Sequence, residues 1–138
     1  MKKLLLIGSL CIAIIAGFSG CTKSSDSNPA AIFVGTWKGT STCSSSQVTL
    51  TLTAGSTNST VVNTGSVGTA GTSCYKAVSL TGNVNGNTVT FPATTLTDNC
   101  GNSYTITMSG VLNGTTLTYT EIVSGSVSAN CTATVTKQ

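Results

Sequence analysis

From Ile32 onward the chain repeats apolar residues with a period of two and shows no helical period. This feature limits its fold more than any other. Val48, Leu50 and Leu52 share one parity, with Thr49, Thr51 and Thr53 on the other. Val78, Leu80 and Val84 repeat the pattern, as do Tyr104, Ile106, Met108 and Leu112. Leu117, Tyr119 and Val123 make a further face, and Val127, Ala129, Cys131, Ala133 and Val135 make the last. Successive side chains of a strand point to opposite faces, so each run reads as a strand with one face for a core. Threonine, β-branched and polar, suits the wet face opposite.

Turn signals separate the runs. Asn85-Gly86 and Asn113-Gly114 predict two-residue hairpins of type I′, with positive φ at both central positions. Residues 98–102 and 124–126 predict further turns, and residues 55–59 and 65–71 predict loops. Eight strands result, near 32–42, 46–54, 60–65, 73–84, 88–97, 103–112, 115–123 and 127–136. The third lacks clear alternation, and Pro92 predicts a bulge in the fifth.

Successive hairpins make an antiparallel meander. Open sheet edges invite pairing with other chains and are usually guarded by charge. Only 7% of this chain is charged, which favours closing the sheet on itself. An immunoglobulin-like sandwich would set a Trp between two core cysteines, whereas Trp37 precedes all four cysteines of the strand region. The expected fold is all-β: an eight-stranded antiparallel up-and-down meander, closed into a barrel over residues 32–138.

The first twenty residues have a different character. Lys2 and Lys3 precede an apolar stretch from Leu4 to Phe18, and the small residues Ser19 and Gly20 precede Cys21. A helix needs about 20 apolar residues to span a bilayer, so this stretch suits the centre of a secretion signal. Residues 21–31 read as a short polar linker, with a root-mean-square reach of roughly 17 Å. Removing residues 1–20 leaves four lysines against three carboxylates, a net charge of +1 with no Arg. Nucleic-acid binding needs clustered basic residues and is discarded.

Export also gives the cysteines a meaning. Cys43, Cys74, Cys100 and Cys131 form an even set, read as two disulfides. With no His and no C-x-x-C pair, a metal site is set aside, and no cofactor is expected. In an eight-strand meander all four fall at the same end of the barrel. Strands four and five are neighbours, as are strands eight and one in a closed barrel. Disulfide geometry therefore favours Cys74–Cys100 with Cys43–Cys131. The sequential arrangement, Cys43–Cys74 with Cys100–Cys131, is the second possibility.

Phe18-Ser19-Gly20-Cys21 resembles the lipobox of bacterial lipoproteins, with Phe18 where Leu is usual. The resemblance implies cleavage before Cys21, several acyl chains on that residue, and attachment to a membrane. At about 0.8 kcal/mol per buried CH₂, a palmitoyl-sized chain contributes roughly 11 kcal/mol, and two or more make the attachment effectively permanent. Thr22, where Asp would imply inner-membrane retention, implies the outer membrane. A second resemblance lies in Gly35-Thr36-Trp37, which is similar to the G-x-W that opens the barrels of lipocalins and avidins. In lipocalins that Trp packs at the closed end beneath a basic residue near the last strand, a part that Lys137 would play here. The cysteine-bearing end would then be the open mouth.

Chemistry for catalysis is sparse. The absence of His removes Ser-His-Asp and Cys-His arrangements in their usual forms. Asp98 and Glu121 are the two carboxylates of the strand region, and Asp98 belongs to a turn, so no enzyme activity is expected. Glu121 shares parity with Leu117, Tyr119 and Val123, which turns it inward. There it would be a polar anchor in a ligand cavity, with Tyr104 or Tyr119; a slight bulge or a wet rim would instead leave it in water. Three functions fit: a lipocalin-like module for a small apolar or amphipathic ligand, a protein-binding lipoprotein such as a lysozyme-type hydrolase inhibitor, or a structural surface protein. The inhibitor reading calls for a filled barrel and a protruding loop, with residues 65–71 as the candidate.

Overall fold

The computed structural model describes residues 28–68 and 71–138. The leader, Cys21 and linker residues 21–27 lie outside the described residues, as do Thr69 and Ala70 of the proposed loop. Eight strands follow a short 3-10 helix at Pro29–Ile32: β1 (Gly35–Ser41), β2 (Ser44–Ala54), β3 (Thr60–Val67), β4 (Lys76–Asn85), β5 (Thr88–Thr97), β6 (Ser103–Asn113), β7 (Thr116–Gly125) and β8 (Ala129–Lys137). Each pairs antiparallel with the next, and β8 pairs with β1, so the sheet closes into an up-and-down barrel.

The inward parity runs through every strand. Trp37, Leu50, Leu52, Val61, Leu80, Val84, Val89, Phe91, Ile106, Met108, Leu112, Leu117, Ala133 and Val135 are all buried. In β5 the pairing with β6 shifts between Phe91 and Thr94, as Pro92 predicts. The bulge changes the inward parity from odd to even, so Thr94 and Leu96 are the half-buried residues beyond it. In β3 the inward positions are Val61, Asn63, Gly65 and Val67. Two of those four are not apolar, which hid the strand's alternation in the sequence. β3 also runs through Val67, so residues 65–67 are strand and not loop.

Both short hairpins depart from the expected type I′ turn. Asn85 pairs with Thr88 and Asn113 with Thr116, which makes Gly86-Asn87 and Gly114-Thr115 the central residues. Gly86 has φ 57° and Gly114 φ 59°, and no residue other than glycine has positive φ among the described residues. Glycine with positive φ at the first central position alone is the type II′ arrangement. This register sets Val84 opposite Val89 and Leu112 opposite Leu117. A turn centred on Asn-Gly would set Val84 opposite Asn87 and Leu112 opposite Thr115, placing polar residues against the core.

The end where the chain enters β1 is filled. Phe33, Trp37, Leu52, Val61, Val89, Leu117 and Val135 are the largest fully buried side chains. The 3-10 helix closes this end. Pro29 opens it, Asn28 Oδ1 accepts from Ala31 N–H at 3.2 Å, and Ala30 N–H donates to Asn58 O at 3.1 Å. Ala30 is buried, so residues 29–31 belong to the domain and not to a flexible linker as expected. Trp37 Nε1 donates to Phe33 O at 2.8 Å, while Lys137 Nζ donates to Ile32 O at 3.2 Å and stands 5.5 Å from the Trp37 ring. Inside the barrel, Gly82 leaves room for Phe91: a Cβ there would meet the ring at 2.7 Å.

Candidate functional site

The opposite end carries the turns β1–β2, β3–β4, β5–β6 and β7–β8, and it gathers the four cysteines. Cys43 bonds Cys131 with Cα atoms 5.3 Å apart, closing the β1–β8 seam. Cys74 bonds Cys100 with Cα atoms 4.8 Å apart, tying the β3–β4 turn to the β5–β6 turn.

This end is not filled. β2 and β3 pair only over Leu52–Ala54 and Val61–Asn63, and β4 and β5 pair only over Asn83–Asn85 and Thr88–Thr90. The β3–β4 hairpin itself is paired along its whole length, from Thr60 with Asn83 to Val67 with Lys76. Toward the mouth it therefore leaves both neighbours as a unit. The residues explain this. Continued past Leu52 and Asn63, the register sets Thr51, Leu50 and Thr49 of β2 toward Thr64, Gly65 and Ser66 of β3. Short polar side chains offer too little cross-strand packing to hold a ladder together. The hairpin tip is held instead by the Cys74–Cys100 bridge, by Asn99 N–H on Cys74 O at 3.1 Å, and by Asn99 Nδ2 on Tyr75 O at 2.7 Å.

Two adjoining pockets result. One, of about 230 Å³, lies in the mouth between Val67, Tyr104, Ile106, Glu121, Val123 and Val127. The other, of about 210 Å³, opens through the wall between Thr49–Leu50 of β2 and residues 63–66 of β3 and reaches Met108, Tyr119 and Glu121. Ser66, Ile106 and Glu121 line both.

Glu121 sits in the ladder between Met108 on β6 and Cys131 on β8. It is half-buried, and burial alone raises its carboxyl above the usual range. It forms no hydrogen bond or ion pair among the described residues. Tyr119, two residues away on the same face, is half-buried too; burial raises its phenol, and the Glu121 charge adds to the rise. Tyr104 lines the mouth, but its hydroxyl donates to Asp98 Oδ2 at 3.0 Å. Of the anticipated trio, then, Glu121 and Tyr119 meet in the wall pocket, and Tyr104 meets Glu121 in the mouth with its hydroxyl already engaged. Trp37 and Lys137 come together at the filled end, away from both pockets.

Two further polar residues shape this end: Asp98, read from the sequence as a turn residue, and Asn63, which the sequence reading did not single out. Asp98 is 5% exposed. Its Oδ1 accepts from Cys100 N–H and Asn102 N–H at 2.9 Å each, and its Oδ2 accepts from Asn102 Nδ2 and Tyr104 Oη. The Asn102 side chain leads the lowering of its pKa, against the opposing effect of burial. The carboxylate thus holds the β5–β6 turn, and with it Cys100, on the rim. Asn63 is 9% exposed, points inward beside the wall pocket, and donates from Nδ2 to Met108 Sδ at 3.6 Å. Asn102 and Tyr104, at alternate positions after Asp98, supply its two side-chain donors; nothing in the local sequence marked Asn63.

No protein-family model matches the chain, and no curated protein matches it in sequence. The site must therefore be read from its own geometry.

Proposed function

We propose that this protein is a lipid-anchored envelope lipoprotein, sited at the outer membrane, whose barrel binds a small apolar or amphipathic molecule at the disulfide-stapled mouth. One observation carries the binding reading: the barrel is packed solid around Trp37 and hollow around Glu121. An apolar cavity of ~150 Å³ takes up benzene, while drug-sized ligands occupy ~300–1,000 Å³. Pockets of about 230 and 210 Å³ suit a molecule between these limits. Val67, Ile106, Met108 and Val123 offer apolar contact, and Glu121 with Asn63 offers polar contact. An inhibitor working through a filled barrel and a protruding loop accords less well with this hollow and with a β3 strand that runs on to Val67. The orientation follows from chain direction: β1 is entered at the filled end, so a tether from Cys21 leaves the mouth facing away from the membrane.

Two measurements test the reading. Mass spectrometry of the chain purified from its own cells should find a small apolar or amphipathic compound at near-stoichiometric amount; its absence, together with no uptake of any small amphiphile, would overturn the binding reading. Metabolic fatty-acid labelling should mark the wild-type chain and not Cys21→Ala, and the unlabelled variant should leave the membrane fraction. A Cys21→Ala chain that kept its label would remove the anchor.

A further inference from the structure

Resting on the mouth as a small-molecule site, we infer that its ligand is a primary or secondary amine on a short hydrocarbon, with the ammonium on Glu121 and the chain between Val67, Ile106, Met108 and Val123. The argument begins with what Glu121 lacks. Its ladder neighbours are a thioether and a disulfide cysteine, neither of which can donate to a carboxylate. A carboxylate half withdrawn from water with no protein donor is disfavoured, and its unpaired oxygens are left open to the pocket space. Here the carboxylate stands where the two pockets meet, with no hydrogen bond or ion pair among the described residues.

The charges around it select the sign of the ligand. Tyr119 on the same strand and Tyr104 on β6 are neutral phenols, and Asp98 behind Tyr104 is a second negative charge. Lys76 stands opposite Val67 on the rim, but it is exposed and forms no ion pair with Glu121. No lysine lines either pocket. An anionic ligand would therefore bring a second charge beside Glu121 with nothing to offset it. An alcohol would supply one donor. A primary ammonium supplies three donors and a secondary one two, each with a compensating charge, and Asn63 lines the wall pocket alongside Glu121.

Three probes of equal chain length separate these cases: n-hexylamine, n-hexanol and hexanoate at pH 7. The 15N-labelled, oxidised chain in nonionic detergent is titrated with each, with free probe set by dialysis, and amide shifts are followed at Val67, Ile106, Glu121 and Val123. Hexylamine should bind about tenfold more tightly than hexanol, as charged hydrogen bonds do relative to neutral ones, and hexanoate most weakly. Glu121→Gln, of nearly the same shape, should bring hexylamine to within about threefold of hexanol. If hexanol matches hexylamine on the wild-type chain, the amine assignment is overturned while the binding mouth stands. If no probe moves these amides, the binding mouth itself falls, and the amine assignment with it.

Discussion

The two disulfides offer a quantitative test, because they close loops of very different length at the same end of one barrel. Cys43 and Cys131 are 88 residues apart, and Cys74 and Cys100 are 26 apart. A crosslink stabilises a fold mainly by removing loop entropy from the unfolded chain, by ~2.1 + 1.5R ln n cal/mol/K for n residues. At 25 °C this gives about 4.6 kcal/mol for the seam bridge and about 3.5 kcal/mol for the rim bridge. Burial barely alters the comparison, since each bridge joins one exposed cysteine to one half-buried cysteine. The perturbation is Cys43→Ser with Cys131→Ser in one chain and Cys74→Ser with Cys100→Ser in another. Urea unfolding followed by circular dichroism, extrapolated to water, should show the first chain less stable than the second by about 1 kcal/mol. Equal losses, or a greater loss from the rim pair, would refute loop entropy as the governing effect. They would point instead to native contacts at the tip of the β3–β4 hairpin.

Other perturbations probe the packing and the charges. Gly82→Ala would drive a methyl into the Phe91 ring and should cost about 1–3 kcal/mol in thermal unfolding, with Phe91→Leu in the same chain restoring part of it. Trp37→Phe removes the donor to Phe33 O at the filled end; an unfolding midpoint reduced by about 1–3 kcal/mol equivalent is expected, with the pockets unchanged. The carboxylates give opposite pH effects. Asp98 is held below its ordinary range, so its contribution is full at neutral pH and is lost as pH falls through its folded pKa; Asp98→Asn should flatten that acid loss in a pH series of unfolding midpoints. Glu121 is raised by burial, so stability should fall as pH rises from the ordinary carboxylate range through its folded pKa, and Glu121→Gln should abolish that step.

Period-two alternation was enough to assign an all-β chain, because side-chain direction along a strand depends only on local backbone geometry; turn signals gave the count of eight, and the scarcity of charge favoured closure. Once the strands were counted, the meander put the cysteines at one end and left Cys43–Cys131 and Cys74–Cys100 as the pairs on adjacent strands. Pro92 announced its own bulge, since a missing N–H acts locally. Glu121 could be placed on the inner face by parity alone. Features set by distant residues were not legible in this way. The hairpins took a type II′ register because Val84 against Val89 and Leu112 against Leu117 bury apolar surface, which the Asn-Gly dipeptides do not encode. Residues 29–31 looked like tether because what holds the segment, Asn58 O on Ala30 N–H and Lys137 Nζ on Ile32 O, comes from distant parts of the chain.

The same distinction governs the mouth with which the cysteines are associated. Sequence by itself pointed to a stapled rim opposite the chain's entrance to β1, and by parity to one carboxylate turned inward there, with a bulge or a wet rim as the alternative. Only the tertiary structure decided that the interior is hollow at that level. A cavity is what remains after side chains from every strand have filled the space. Here β3 brings only Asn63 and Gly65 inward at the level where other strands bring Ile106, Met108 and Tyr119. No window along the chain contains that sum.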